Sequence, residues 1–508
     1  MTTAWLVAGP ALVAGCARIE APPADVATRH VGAPQAFAGE QRADSAVASE
    51  PVPAGWIDDF NDPALSALVR EAWERNPDLY VAAARFEEAA ANLRVATSLL
   101  YPSAGAFGSA SHVDRGSTED SIYAIGLQAS WEIDLWGRLR AGRLSSREVA
   151  ESVGLDWLQA RHSLAAAVAQ SYFALVAAED QLGIDRELLQ AEQFTATTTR
   201  QRVAAGLGTS LDENLAESNV MLAEAAVRSD LAAIESARRA LEILVGRYPA
   251  ANAEASQTVL PDLPGGVVHV GLPSQLLERR PDVRSAEKQV NAAYYGVKQA
   301  KAARLPSLTL TGSVASAIDP DDILSEITAN LFAPLFTGGR LQSEQVAANA
   351  RQRQALGQYA SIALQAFTEV EDALANERYL AERSEQLAGA TERLREASRQ
   401  AEGRYQEGLL PILDLQQIRR QDFQTRSQYV AVRFEQLRQR IGLHLALGGP
   451  VFPENTDQTE ARRADALLDD AFVKPGRAAF GGELRVGTET IQDTDNETES
   501  DEGGTDDN

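Results

Sequence analysis

One stretch of this chain occurs twice, and that repetition limits the folds open to it. Residues 77 to 103 run from Pro77-Asp78-Leu79 through an alanine-rich helical pattern to Leu99-Leu100-Tyr101-Pro102-Ser103. Residues 281 to 307 run from Pro281-Asp282-Val283 to Ala303-Arg304-Leu305-Pro306-Ser307. In both copies the two prolines stand 25 positions apart, and the copies are offset by 204. Proline disfavours helix in the residue before it, so each block reads as a helix with fixed ends and the chain as an internal tandem duplication.

After the second proline of each block the periodicity changes from helical to two. Tyr123, Ile125, Leu127, Ala129 and Trp131 alternate with Ala124, Gly126, Gln128, Ser130 and Glu132, so a strand here has one apolar face and one small or polar face. Ser103 to His112 forms a weaker strand, with residues 114 to 120 as the loop between. In the second copy Leu308, Leu310, Gly312 and Val314 alternate with Ser307, Thr309, Thr311 and Ser313, and a return strand lies within Ile327 to Phe336. Each copy supplies one hairpin, giving four strands per chain.

Both return strands lead to Gly-Arg-Leu, at Gly137-Arg138-Leu139 and Gly339-Arg340-Leu341. Gly137 and Gly339 permit a tight strand-to-helix turn before Arg138 and Arg340, and Trp131, Trp136 and Phe336 beside these turns suit a membrane interface. A helical pattern then runs from Arg138 to about residue 205, and again over about 341 to 405. At ~1.5 Å per residue each spans on the order of 100 Å. Val168, Leu175, Leu182 and Leu189 stand seven apart, as do Leu380, Leu387 and Leu394, which is coiled-coil spacing. Both patterns stop at glycine turns, Gly206-Leu207 and Gly408-Leu409, where glycine suits a helix C-cap. Shorter helices return from them to Gly246 and Gly448.

Composition narrows the function classes. The formal net charge of −25 argues against nucleic acid, because phosphate binding needs concentrated Lys and Arg. Beyond the amino end no stretch reaches 18 consecutive apolar residues, so a membrane-crossing chain must use strands. The single cysteine excludes an internal disulfide and a Cys-based zinc site, and the five histidines show no metal-ligand spacing. Neither phosphate-loop, nor triad, nor metal motif is present; no enzyme activity and no cofactor are expected.

Residues 1–16 end in Leu12-Val13-Ala14-Gly15-Cys16, which resembles a bacterial lipoprotein signal with a lipidated Cys16, although the basic residue usual at the start of such signals is missing. An acylated Cys16 would tether the chain to lipid. Residues 17–54, rich in Ala, Pro and small polar residues, read as an extended linker with too little apolar surface to fold alone. The two repeats occupy 55–250 and 251–450. Residues 451–508 carry sixteen acids against five bases and read as an acidic, disordered tail.

Four strands in a bilayer would leave unpaired edge N–H and C=O groups, each costing several kcal/mol, so chains must pool their strands. Two copies give eight strands and a filled interior; three give twelve and room for a lumen. The duplicated Pro-Asp to Pro-Ser blocks, Trp131-Glu132-Ile133-Asp134-Leu135-Trp136-Gly137-Arg138-Leu139, Leu277-Glu278-Arg279-Arg280-Pro281-Asp282-Val283-Arg284 and Thr337-Gly338-Gly339-Arg340-Leu341 resemble the outer-membrane factor (TolC-like) family, in its lipoprotein efflux branch. The resemblance covers roughly residues 55 to 450. It implies an α+β membrane protein: a homotrimer with a 12-stranded outer-membrane β-barrel continuous with a periplasmic α-helical coiled-coil barrel. It also implies docking to a periplasmic membrane-fusion adaptor and an inner-membrane pump, commonly of the resistance-nodulation-division class.

By position, the turns Gly206-Leu207 and Gly408-Leu409 match the family's adaptor-contact tips. Family members carry two aspartates spaced by three at the closed periplasmic aperture; here the first position is Asp414, the second is Gln417, and Arg420 stands three further on. Asp414, Gln417 and Arg420 form the candidate gate, with Arg420 able to bridge to Gln417 or to a neighbouring chain's Asp414. The expected activity is passive conduction of small molecules out of the cell. An exit duct for secreted proteins and a coiled-coil scaffold are the alternatives, and the scaffold fails to account for the hairpins.

Overall fold

The computed structural model describes residues 19–23, 26–28, 34, 37–38, 55–114, 119–264, 270–317 and 323–452. Cys16 and the acidic tail beyond 452 lie outside the described residues. The same element order runs twice. The first pass is α1 (Pro63–Arg75), α2 (Pro77–Ser98), β1 (Ser103–Asp114), β2 (Glu119–Ile133), α3 (Arg138–Ala204) and α4 (Ser210–Val245). The second is α5 (Pro273–Arg279), α6 (Pro281–Ala302), β3 (Ser307–Ala317), β4 (Ile323–Phe332), α7 (Arg340–Gln406) and α8 (Ile412–Leu447). The long helices are 67 residues each and the returning helices 36 each. The last strand starts about four residues before the expected segment and ends at Phe332, short of Pro334, which has no N–H to donate to a ladder.

The two hairpins join into one antiparallel sheet in the order β1-β2-β3-β4. Directly paired residues share a face. Ala106, Leu127, Val314 and Ser325 stand in one row, and Ala104, Ala129, Gly312 and Ile327 in the next. Following this register, Ile125, Leu127, Trp131, Leu308, Leu310, Ile327 and Leu331 all lie on one face, while Gln128, Ser130, Glu132, Thr309, Thr311, Glu326 and Asn330 lie on the other. The apolar face is bare: Ile125 is 71% and Leu127 66% exposed.

Below the sheet the helices also lie four abreast. In the upper tier α3 packs between α2 and α6, and α6 packs on α7; in the lower tier α3 packs between α4 and α8, and α8 packs on α7. The shorter helices stack end to end. Asn76, which caps α2 by accepting from the N–H groups of Asp78 and Leu79, also donates from Nδ2 to the carbonyl of Leu244 at the foot of α4, 2.8 Å away. Arg280, at the matching place in the second pass, donates to the carbonyl of Ala446 at 3.1 Å. Gly246 turns there with φ +85°, and a Cβ on it would lie 2.5 Å from the Arg75 carbonyl oxygen. Such junctions satisfy helix-end carbonyls that would otherwise be unpaired.

An equatorial layer surrounds these junctions. Trp56, Ile57 and Phe60 pack with Leu65 and Val69 of α1, with Tyr172, Phe173 and Leu175 of α3 and with Ala253 and Leu260 of the connecting segment. The described residues of the amino-terminal segment are docked rather than loose. Ile19 lies against Gly137, Glu20 pairs with Lys298 at 3.9 Å, and Ala27 and Phe37 are buried among α6, α7 and α8. Its composition forbids a core of its own, and it borrows one from the second repeat. No helix among the described residues is long and apolar enough to cross a membrane.

Candidate gate and tips

The two tips are built alike. Gly206 and Gly408 adopt left-handed backbone at φ +75° and +79°. The N–H groups of Leu207 and Leu409 then reach back to the carbonyls of Arg202 and Arg404, both at 2.8 Å, closing each long helix with the six-to-one bond of a Schellman turn. Leu207 and Leu409 consequently project into solvent, 71% and 72% exposed. The entry to α4 is a reciprocal capping box between Thr209 and Asp212, and the N–H and hydroxyl of Thr209 hold the Asp212 carboxyl below its usual range. The entry to α8 is Pro411, with no side-chain cap.

The tips are also tied together. The Arg202 guanidinium donates to the Tyr405 carbonyl at 2.8 Å and lies over the Tyr405 ring, whose hydroxyl is 2.6 Å from that of Thr199. Ala196, Ala216, Ala401, Tyr405, Ile412 and Leu415 form a small core behind them.

Asp414, Gln417 and Arg420 fall on one exposed face of α8, as a spacing of three requires. They make no hydrogen bond or ion pair with the described residues, so the Arg420-to-Gln417 bridge is not made within one chain. The opposite face carries Gln416, Arg419 and Asp422, all buried. Gln416 donates to Glu192 of α3 at 2.8 Å, and Arg419 pairs with Glu192 at 3.3 Å and with Glu402 at 3.9 Å. Arg419 also donates to Thr195 at 2.9 Å. Burial pushes the Asp422 carboxyl up. This lock between α3 and α8 was not identified from the sequence. Its signal was there: Gln416, Arg419 and Asp422 share the face of Leu415 and Phe423, where polar residues need partners.

At the other end of the helices Gly137 and Gly339 have φ +77° and +83°. Asp134 caps α3 through the N–H groups of Leu139 and Arg140, Arg138 pairs with Glu132 at 2.6 Å, and Arg340 pairs with Glu344 at 2.8 Å. The Trp131 and Trp136 ring nitrogens donate to the carbonyls of Leu100 and Pro306, and Phe336 is 91% exposed. Rings with one apolar body and one satisfied polar atom suit the edge of a bilayer. No group of acidic, His or Cys side chains able to hold a metal exists among the described residues.

A sheet with a bare apolar face, standing on a tall wall of helices, is also what the comparisons with known proteins return. The family model for outer membrane efflux proteins matches residues 68–247 and again 272–449. The pyoverdine export outer membrane protein OpmQ of Pseudomonas putida is 31% identical over 415 residues, covering 78% of this chain and 87% of its own. The cation efflux system protein CusC of Escherichia coli K12 is 30% identical, covering 78% and 89%. The antibiotic efflux pump outer membrane protein ArpC of Pseudomonas putida is 29% identical, covering 86% and 93%. Among solved structures the outer-membrane channel OprN superposes with a TM-score of 0.77 at 26% identity over 83% of this chain and 98% of its own. The open state of the Neisseria gonorrhoeae MtrE channel gives 0.71 at 26%, over 86% and 98%. With both passes of the chain matched by the family model, this chain belongs to the outer membrane efflux protein family.

Proposed function

We propose that three copies of this chain, each an internal duplication, close into a 12-stranded barrel in the outer membrane continuous with a periplasmic helical tunnel. The observation that carries this is the alignment of unpartnered edges. β1, α2 and α4 form one edge at successive heights, and β4 and α7 form the other. Pairing β1 of one chain with β4 of the next removes every sheet edge from lipid, and the same rotation brings α2 and α4 against α7. Three chains then present twelve apolar strand faces to lipid and a polar lumen to water.

The lumen serves as a passive exit: an inner-membrane pump of the resistance-nodulation-division class supplies energy, and a periplasmic membrane-fusion adaptor seats on Leu207 and Leu409. At the aperture, three copies of Asp414 focus a negative potential, and Arg420 bridges to the next chain's Asp414. Acylation of Cys16 tethers the chain to the outer membrane. Relatives named for pyoverdine, cations and antibiotics match this chain about equally well, which supports a duct whose cargo is chosen by the pump.

The test is the purified protein in planar bilayers together with a deletion strain assayed for drug accumulation. A water-filled single-channel current and raised accumulation support the duct. A protein that inserts without conducting, in a strain with unchanged accumulation, contradicts it.

A further inference from the structure

We propose that the foot of the barrel carries an anion-binding girdle, in which Arg94, with Arg138 and Arg340 beside it, holds carboxylate or phosphate groups of molecules leaving the helical tunnel. This rests on the duct reading and adds a substrate class to it. Two adjoining hollows, of about 760 and 310 Å³, share Glu132 and Arg138 on their walls. Arg94, Ser103, Ser130 and Thr309 line the larger and Arg340, Glu344 and Ser307 the smaller. Ser130, Glu132, Thr309 and Ser307 belong to the polar face of the sheet, so both hollows open to the lumen.

The two walls carry Arg94, Arg138 and Arg340 against Glu132, Asp134 and Glu344, and Asp134 is taken up by Arg140 from outside them. Arg138 is met by Glu132 and Arg340 by Glu344, so within each protomer those two arginines are balanced. Arg94 is the surplus: its Nε is buried, yet no described residue accepts a hydrogen bond from it. A buried donor without an acceptor calls for one from elsewhere. A guanidinium offers a planar fork that fits carboxylate or phosphate through two parallel hydrogen bonds, and the hydroxyls of the same wall add further donors. The exposed Asp414 lies at the opposite end of the tunnel. Water in the lumen keeps anion binding weak enough for release, as conduction needs.

The experiment uses the full-length trimer in planar bilayers, with potassium chloride carrying current and citrate added from the barrel side, where it reaches the girdle without crossing the tips. Citrate should reduce the wild-type current, Arg94→Gln should raise the half-blocking concentration at least fivefold, and Arg94→Lys should restore most of the block. Glu132→Gln, which frees Arg138, should lower that concentration. Equal block in wild type and Arg94→Gln overturns the proposal. So does an Arg94→Gln trimer that loses thermal stability while keeping its block, because Arg94 then serves a contact between protomers. A wild-type channel that carries potassium chloride but ignores citrate rejects the girdle alone, whereas absence of any current rejects the duct.

Discussion

α3 and α7 have the same length and start from the same kind of glycine turn, yet their surroundings differ. α3 is buried at intervals from Leu139 to Thr199, whereas α7 has no buried residue between Ala373 and Ala401. The heptads show the same contrast. Val168, Leu175 and Leu182 of α3 sit in the equatorial core and only Leu189, nearer the tip, is half-buried, whereas Leu380, Leu387 and Leu394 of α7 are all half-buried. α3 has helices on both sides at every height and α7 on one side only. A coiled-coil stripe left half bare over roughly 40 Å is a surface awaiting another helix. The two passes of the chain carry helices of equal length, one inside the protomer and one at its border.

The contrast is broken most strongly by placing a charge on each stripe. Leu175→Asp should prevent the protomer from folding, since an unpaired buried carboxylate combines with a lost core side chain to cost more than ~4 kcal/mol. Leu387→Asp should leave helical circular dichroism intact while removing the trimer from native gels. If both variants assemble alike, the two helices are not different in kind.

Next in size is the lock behind the proposed gate. Arg419→Met leaves Glu192 buried without its cation, which costs about 3–5 kcal/mol, and it should raise the resting conductance by loosening α8 from α3. Asp414→Ala should change stability by under ~0.5 kcal/mol while making the channel leakier to large antibiotics. Thermal melts and vancomycin uptake separate a residue that holds the aperture's frame from one that lines it. A smaller effect is expected at the tips: Gly408→Ala forces φ +79° on a residue with a Cβ, where the nearest atoms are 3.6 Å away. Strain alone then costs about 1–2 kcal/mol, read as a lowered melting temperature.

A further effect concerns pH. Burial and the neighbouring Asp185 carboxyl raise Asp230 to about 7. The folded chain therefore retains a proton that the unfolded chain releases near pH 4, and stability falls as pH rises from about 4 to about 7 and levels off above. Asp230→Asn should flatten the drop in melting temperature between pH 5 and pH 8. An unchanged slope would show that the pair does not share a proton.

Much of this architecture is legible in local sequence because its signals are local. Pro77, Pro102, Pro281 and Pro306 mark helix ends, Gly137 and Gly339 mark turns, and the alternation from Tyr123 to Trp131 marks a strand face. The register of β2 on β3, which joins two hairpins into one sheet, depends on residues about 180 positions apart and has no local signature. The same holds for Phe37, whose burial depends on a groove made by α6, α7 and α8, and for the partnership of Arg419 with Glu192. At the proposed gate the sequence placed Asp414, Gln417 and Arg420 on a common face by spacing alone, but not which face the chain would leave open.

The central claim is that the bare span of α7 meets α4 of the next protomer in a closed ring of three. Leu394 on α7 and Leu222 on α4 each stand 12 residues from the tip end of their helix, and Leu222 is exposed. Oxidising a Leu222→Cys, Leu394→Cys double variant in native outer membranes measures this directly. The account predicts covalent dimers and trimers and nothing larger; monomer alone, or a ladder continuing past three, would contradict it.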